Sequence, residues 1–185
     1  QIKLTVSVDK VAASGGYMMA CVADHIISAP FAIIGSIGVI AQLPNFNKVL
    51  KKNDIEFEQH TAGNFKRTLT MFGENSDEGR TKFKEEIEDV HVMFKDFVKQ
   101  NRPQLDIDKV ATGEYWYGQR AKALNLVDEL KTSDDFLMEA NNLYRLFHIK
   151  YATKKTFAQK LGFSAYQAIE QTLMRLVDAG NKLYR

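Results

Sequence analysis

An alternating run, Ile2-Lys3-Leu4-Thr5-Val6-Ser7-Val8, passes at once into Asp9-Lys10-Val11-Ala12-Ala13-Ser14-Gly15-Gly16 and then into an apolar, helix-prone stretch from Tyr17 to Ala23. Apolar residues at every second position are the pattern of a strand, and paired glycines mark a tight turn. A strand feeding directly into a buried helix constrains the chain to an α/β arrangement. The same turn leaves Ser14 with two readings. In one, the turn exposes its hydroxyl beside a helix N-terminus, whose free N–H groups suit a developing oxyanion. In the other, Ser14 is an ordinary N-cap followed by turn glycines.

Downstream, His25-Ile26-Ile27-Ser28 reads as a short strand ended by Ala29-Pro30, and Phe46, Val49 and Leu50 as a short helix. Ile55, Phe57 and Gln59 alternate with Glu56, Glu58 and His60, which predicts a half-exposed strand. The clearest helix starts near Ser76, with Asp77 and Glu78 in its first turn, and ends at Asn101-Arg102-Pro103. Its stripe of Phe83, Ile87, Val90, Phe94, Phe97 and Val98 predicts core or subunit interface. Thr132-Ser133-Asp134-Asp135 opens another helix, with Phe136, Ala140, Leu143 and Phe147 on one face. The last stretch, from Leu161 to Tyr184, is amphipathic and reads as an arm on another subunit or on its own domain.

The chain has 185 residues with 45% hydrophobic content, enough for a real core, and its net charge of +2 gives no argument for nucleic acid. Clusters at Lys48, Lys51 and Lys52, and at Lys150, Lys154, Lys155 and Lys160, suit a solvated face or an anionic membrane surface. The single cysteine, Cys21, excludes an internal disulfide and reads as a small buried hydrophobe. No Cys/His cluster has zinc spacing and no glycine loop has phosphate-binding spacing, so neither metal nor cofactor is expected. No run reaches the roughly 18 apolar residues of a membrane span.

Four segments, taken in order, carry a family resemblance. They are Asp9 to Tyr17, Gly35-Ser36-Ile37-Gly38-Val39, Thr61-Ala62-Gly63-Asn64-Phe65-Lys66-Arg67, and Gly113 to Ala121 leading into Leu124-Asn125-Leu126-Val127-Asp128-Glu129. Together they resemble the signal peptide peptidase A family and, within it, the shorter SohB-like proteases. Lys66 follows Ser14 by 52 residues, the family's spacing between nucleophile and base. The resemblance covers about residues 1–130. It implies a Clp protease/crotonase-like fold of stacked β-β-α spiral units over 1–130, with 131–185 as a C-terminal helical arm for oligomerisation. It also implies an anchor and the first strands of the domain ahead of Gln1, and a bacterial inner-membrane location with the catalytic domain extracytoplasmic. Homo-oligomers whose active sites lie at protomer interfaces, with apolar peptides such as cleaved signal peptides as substrates, follow from the same likeness.

A serine hydroxyl needs a base. His25, His60, His91 and His148 come with no convincing orienting carboxylate in sequence, which argues against a Ser-His-Asp triad. A lysine serves if its amine is neutral, and burial among apolar neighbours favours that form. The resemblance makes Ser14 the nucleophile, Lys66 the general base and Ser36 the residue that orients the Lys66 amine. Gly15 N–H is the natural first oxyanion donor, and in the family the second comes from a glycine turn upstream. Gly38 and Val39 would offer a strand edge to an extended substrate. Two other functions remain open: a crotonase-like acyl-CoA hydratase or isomerase, and a non-enzymatic membrane-associated scaffold.

Overall fold

A computed structural model describes residues 2–63 and 65–151. Two small sheets organise the chain. The first is parallel, in the order β1 (Thr5–Val8), β3 (His25–Ser28), β6 (Glu129–Leu130). The second runs β2 (Val11–Ala13), β4 (Ile33–Gly35), β5 (Tyr115–Tyr117), with β2 and β4 parallel and β5 antiparallel. The chain passes from the first sheet to the second twice, β1 to β2 and β3 to β4, returning after β2 and β5, so successive strand pairs lie side by side. β3 is central in its sheet, and Ile26 and Ile27 are both fully buried, as expected for a strand covered on two faces.

Helix α1 (Gly15–Ala20) follows β2 directly. The expected buried helix over 15–23 is shorter than the apolar run. It buries only Tyr17 and Ala20, while Met19 is 73% exposed, because one short helix shows a single face to the core. The strand expected over 2–8 likewise starts at Thr5, where its partner His25 begins. Cys21 is fully buried, and burial pushes its thiol up, away from the reactive thiolate.

Helix α2 (Asn47–Lys52) matches the short helix read from Phe46, Val49 and Leu50. The alternation from Ile55 to His60 makes no strand, because no neighbouring segment supplies a ladder. Ile55 and Phe57 are instead 53% and 41% exposed. The segment is tied down at its base. Asn45 Nδ2 donates to the Thr70 and Gly73 carbonyls, Asn47 Nδ2 donates to Phe72, and Phe46 and Phe57 pack on Phe72.

Helix α3 (Asp77–Asn101) begins at the expected cap, with Ser76 Oγ accepting from Gly79 N–H at 3.0 Å. Of its apolar stripe only Phe94 and Val98 are buried; Phe83 and Ile87 are half-buried, and Val90 and Phe97 exposed. After α3, Arg102 turns inward and is 3% exposed. Its guanidinium donates to both Asp128 oxygens at 2.8 and 2.7 Å and to the Asn125 carbonyl. Asp128 also accepts from Ile26 N–H at 2.7 Å, so one ion pair joins the α3 terminus, β3 and the start of β6. Burial pushes the Asp128 carboxyl up, but the Arg102 hydrogen bonds and Ile26 N–H outweigh it and leave the pKa below its ordinary value. Tyr17 donates from the same core to the Leu126 carbonyl at 2.8 Å.

Short α4 (Ile107–Val110) and α5 (Gly118–Ala123) flank β5, and α6 (Ser133–Leu143) is capped by Thr132. Phe147, expected on the same face, lies beyond the helix end. Asp9, in the β1–β2 turn, accepts from Ser133 N–H and Oγ–H, which draws its carboxyl down. The chain forms two compact units, Gln1–Tyr144 and Arg145–Arg185. α6 falls within the first of these units. The stretch from Leu161 to Tyr184 lies outside the described residues. Among the described residues no helix is long and apolar enough to cross a membrane.

Candidate active site

β2 and β4 run parallel with Ala13 opposite Gly35, so the next residues, Ser14 and Ser36, emerge side by side at the strands' C-terminal ends. In open α/β sheets this is the end where ligands bind. Ser14 has φ 53 and ψ −122, backbone space that favours glycine. Its N–H donates to the Gly35 carbonyl at 2.7 Å, and its own carbonyl accepts from Tyr17 and Met18 at 2.9 and 3.0 Å. Its hydroxyl makes no capping bond to α1. The N-cap reading of Ser14 therefore accounts for its position but not for its side chain. Strain held by surrounding bonds, with an uncommitted hydroxyl at its apex, is a common mark of a reactive residue.

Ser36 repeats the pattern at φ 51, with its N–H donating to the Glu114 carbonyl at 2.7 Å. Gly35 between them has φ 99, and the Trp116 ring would stand 3.0 Å from a side chain there, so only glycine fits.

Both serines line a cleft of about 400 Å³, together with Gly38, Val39, Ile40, His91, Thr112 and Gly113. A larger depression of about 570 Å³ lies between Asn47 and Glu74, but it holds no hydroxyl or thiol side chain, so chemistry rather than size selects the Ser14 cleft. Four sequence candidates thus meet in one place: Ser14, Ser36, Gly38 and Val39. Gly15 sits at the first position of α1, and no hydrogen bond from its N–H is found among the described residues, so the donor is uncommitted.

Lys66 is not brought to this cleft. It is exposed in the turn after Gly63, whose φ is 96, and its N–H donates to the Gly63 carbonyl. The apolar neighbours expected to bury it do not close over it in this chain: Phe65 is 48% exposed and Phe72 42%. No hydrogen bond joins Lys66 to Ser14 or Ser36 among the described residues.

His91, Thr112 and Gly113 are the cleft residues that sequence reasoning passed over in assembling the site. Gly113 opens a quoted motif, but His91 carries no local signal, since α3 brings it in from a distant part of the chain. His91 Nε2 lies 3.0 Å from the Ala111 carbonyl, and no bond to Ser14 or to a carboxylate is found among the described residues. His25 and His60 lie off the cleft. His25 faces Glu129 and Asp128, and His60 is paired with Glu58 at the surface. No Ser-His-Asp arrangement is assembled among the described residues. Nor does any group of three His, Cys, Asp or Glu there have metal-holding geometry.

Comparison with known proteins identifies the family of the chain. The profile of Peptidase family S49 matches residues 1–147. A probable protease SohB of Haemophilus influenzae is 59% identical over 167 residues, covering 90% of this chain and 47% of that protein. A probable protease SohB of Buchnera aphidicola from Acyrthosiphon pisum is 54% identical over 175 residues, covering 95% and 52%. A putative protease SohB of Buchnera aphidicola from Baizongia pistaciae is 48% identical over 184 residues, covering 100% and 52%. The chain spans about half the length of these curated relatives.

Proposed function

The chain belongs to peptidase family S49, and on that premise we propose that it carries the catalytic core of a serine endopeptidase with Ser14 as nucleophile and Lys66 as general base. The observation that carries this reading is Ser14 itself: a strained, uncommitted serine at the C-terminal end of a parallel strand, in a cleft, ahead of a free Gly15 N–H. Ser14 Oγ attacks the substrate carbonyl while its proton passes to the neutral Lys66 amine. The oxyanion that forms meets Gly15 N–H. Lys66 then returns the proton to the leaving amine, and a water activated by the same amine hydrolyses the acyl-enzyme.

Because Lys66 is exposed on its own loop, it completes the cleft of a neighbouring protomer in this reading, with Ser36 orienting its amine there. Packing between protomers supplies the water exclusion that its own chain does not. Support comes from the apolar side chains that the same segment leaves exposed, among them Phe46, Val49, Ile55 and Phe57. The two-sheet α/β core is read as part of a Clp protease/crotonase-like fold, supported by the repeated β1-β2-α1 and β3-β4 order. Extended apolar peptides, including cleaved signal peptides, are the proposed substrates, lying along Gly38 and Val39. The proposed setting is the bacterial inner membrane with the catalytic domain outside the cytoplasm, a placement that rests on the family resemblance.

The test is to treat the assembled full-length protein with a serine-acylating fluorophosphonate and map the adduct. Labelling at Ser14 that disappears in Lys66→Ala is the expected result. An unlabelled, properly assembled protein would overturn the reading and favour acyl-CoA chemistry or a scaffold. Ser14→Ala is expected to lower peptide hydrolysis by about 10⁴-fold or more.

A further inference from the structure

His91 is the one imidazole lining the Ser14 cleft among the described residues. The Ala111 carbonyl 3.0 Å from Nε2 can only accept, so Nε2 carries a hydrogen. In the neutral ring Nδ1 is then a lone-pair acceptor, and no partner for it is found among the described residues. The ring is half-buried on the cleft wall, so Nδ1 is open to an incoming donor and is left unpaired only if an apolar group covers it. The other polar groups of the cleft have work elsewhere. Thr112 donates its hydroxyl to Glu114 at 2.7 Å, and Ser36 is assigned to the base.

The ring is also fixed relative to the nucleophile. Ala111 leads into Gly113, whose N–H donates to the Ile37 carbonyl at 3.1 Å, and into Glu114, whose carbonyl accepts from Ser36 N–H at 2.7 Å. Gly35, next to Ser36, accepts from Ser14 N–H at 2.7 Å. A single run of backbone bonds therefore spans from the His91 contact to Ser14, which holds a substrate contact at constant distance from the reacting serine.

We propose that His91 is a specificity-determining residue of this cleft, accepting a hydrogen bond from a substrate side chain that carries an uncharged donor, such as the amide of Gln or Asn. Val39 and Ile40 form apolar wall around that contact, so the preferred peptide is apolar with one amide-bearing position. An aliphatic side chain of similar length leaves the acceptor unpaired. A carboxylate presents only acceptors to a neutral ring. Sites built to bond a donor discriminate against analogues that lack it.

The inference rests on Ser14 being the nucleophile, and the experiment separates the two. Full-length protein is first labelled with the fluorophosphonate. It is then assayed on peptides in which Gln replaces Leu at one position at a time around the scissile bond. Wild type is expected to favour Gln over Leu at one position, by roughly three- to tenfold in kcat/KM. That ratio is expected to fall to about one or below in His91→Leu and to persist in His91→Gln, whose own amide can accept. Each variant is its own reference, because the ratio of two substrates cancels any loss of active protein. A labelled wild type with no Gln preference at any position overturns the inference while leaving the nucleophile intact. So does a preference that survives in His91→Leu. A wild type that does not label at Ser14 overturns both.

Discussion

At φ 53 and ψ −122, Ser14 holds a backbone conformation that a residue without a β-carbon adopts with less strain. Ser14→Gly is therefore expected to be as inactive as Ser14→Ala but more stable than it by about 1 kcal/mol, read from denaturant midpoints. Equal midpoints would mean that the turn carries no strain. The Arg102–Asp128 pair makes a second prediction. Asp128 titrates below its ordinary 3.8, so its contribution is complete above that value and is lost as pH falls through the depressed folded pKa. Wild type should therefore lose stability below about pH 4 more steeply than Asp128→Asn. Arg102→Leu, which leaves the carboxylate with Ile26 N–H alone, is expected to cost about 2–4 kcal/mol at neutral pH. Legibility at this scale divides by range. Ser14 was readable because its glycines and helix are adjacent in sequence. Its pairing with Ser36 follows from two neighbouring strand ends, whereas His91 arrives on a helix some 75 residues on and left no trace in the local pattern.

Local chemistry was legible at the scale of elements too. Both long helices begin where a hydroxyl residue and two carboxylates announce them, at Ser76 and Thr132. Ser76→Ala and Thr132→Ala are each expected to cost about 1 kcal/mol, since each hydroxyl accepts from a backbone N–H that is otherwise unpaired. A loss below a few tenths in thermal or urea unfolding would mean that water replaces the cap. What failed was anything that needs a partner. Ile55 to His60 has the alternation of a strand, yet a strand exists only as half of a ladder. The α3 stripe gave the right face, but periodicity carries no information about depth, and the core receives only Phe94 and Val98 in full. The surroundings of Lys66 depend on a partner in the same way. Apolar neighbours in sequence suggested burial, and on this chain they lie open beside it.

For the molecule as a whole, the proposed nucleophile and base lie on separate parts of one surface, and the proposal that assembly completes the enzyme can be tested by mixing. Ser14→Ala and Lys66→Ala, each inactive alone, are expected to regain activity when mixed and allowed to exchange subunits. Random pairing of the two variants between protomers would restore a fraction of the proposed shared sites. Absence of recovery after demonstrated exchange would place both residues in one protomer. The core beneath Ser14 is closed from far along the chain: Leu126 receives the Tyr17 hydroxyl, Asp128 receives Ile26 N–H, and Glu129 and Leu130 complete the β3 edge. Thr112 and Gly113, which wall the cleft, also come late. A ribosome that has released α1 has therefore not yet made the residues that hold it in place. The growing polypeptide carries Ser14 without its cleft until translation has passed about residue 130 of this chain.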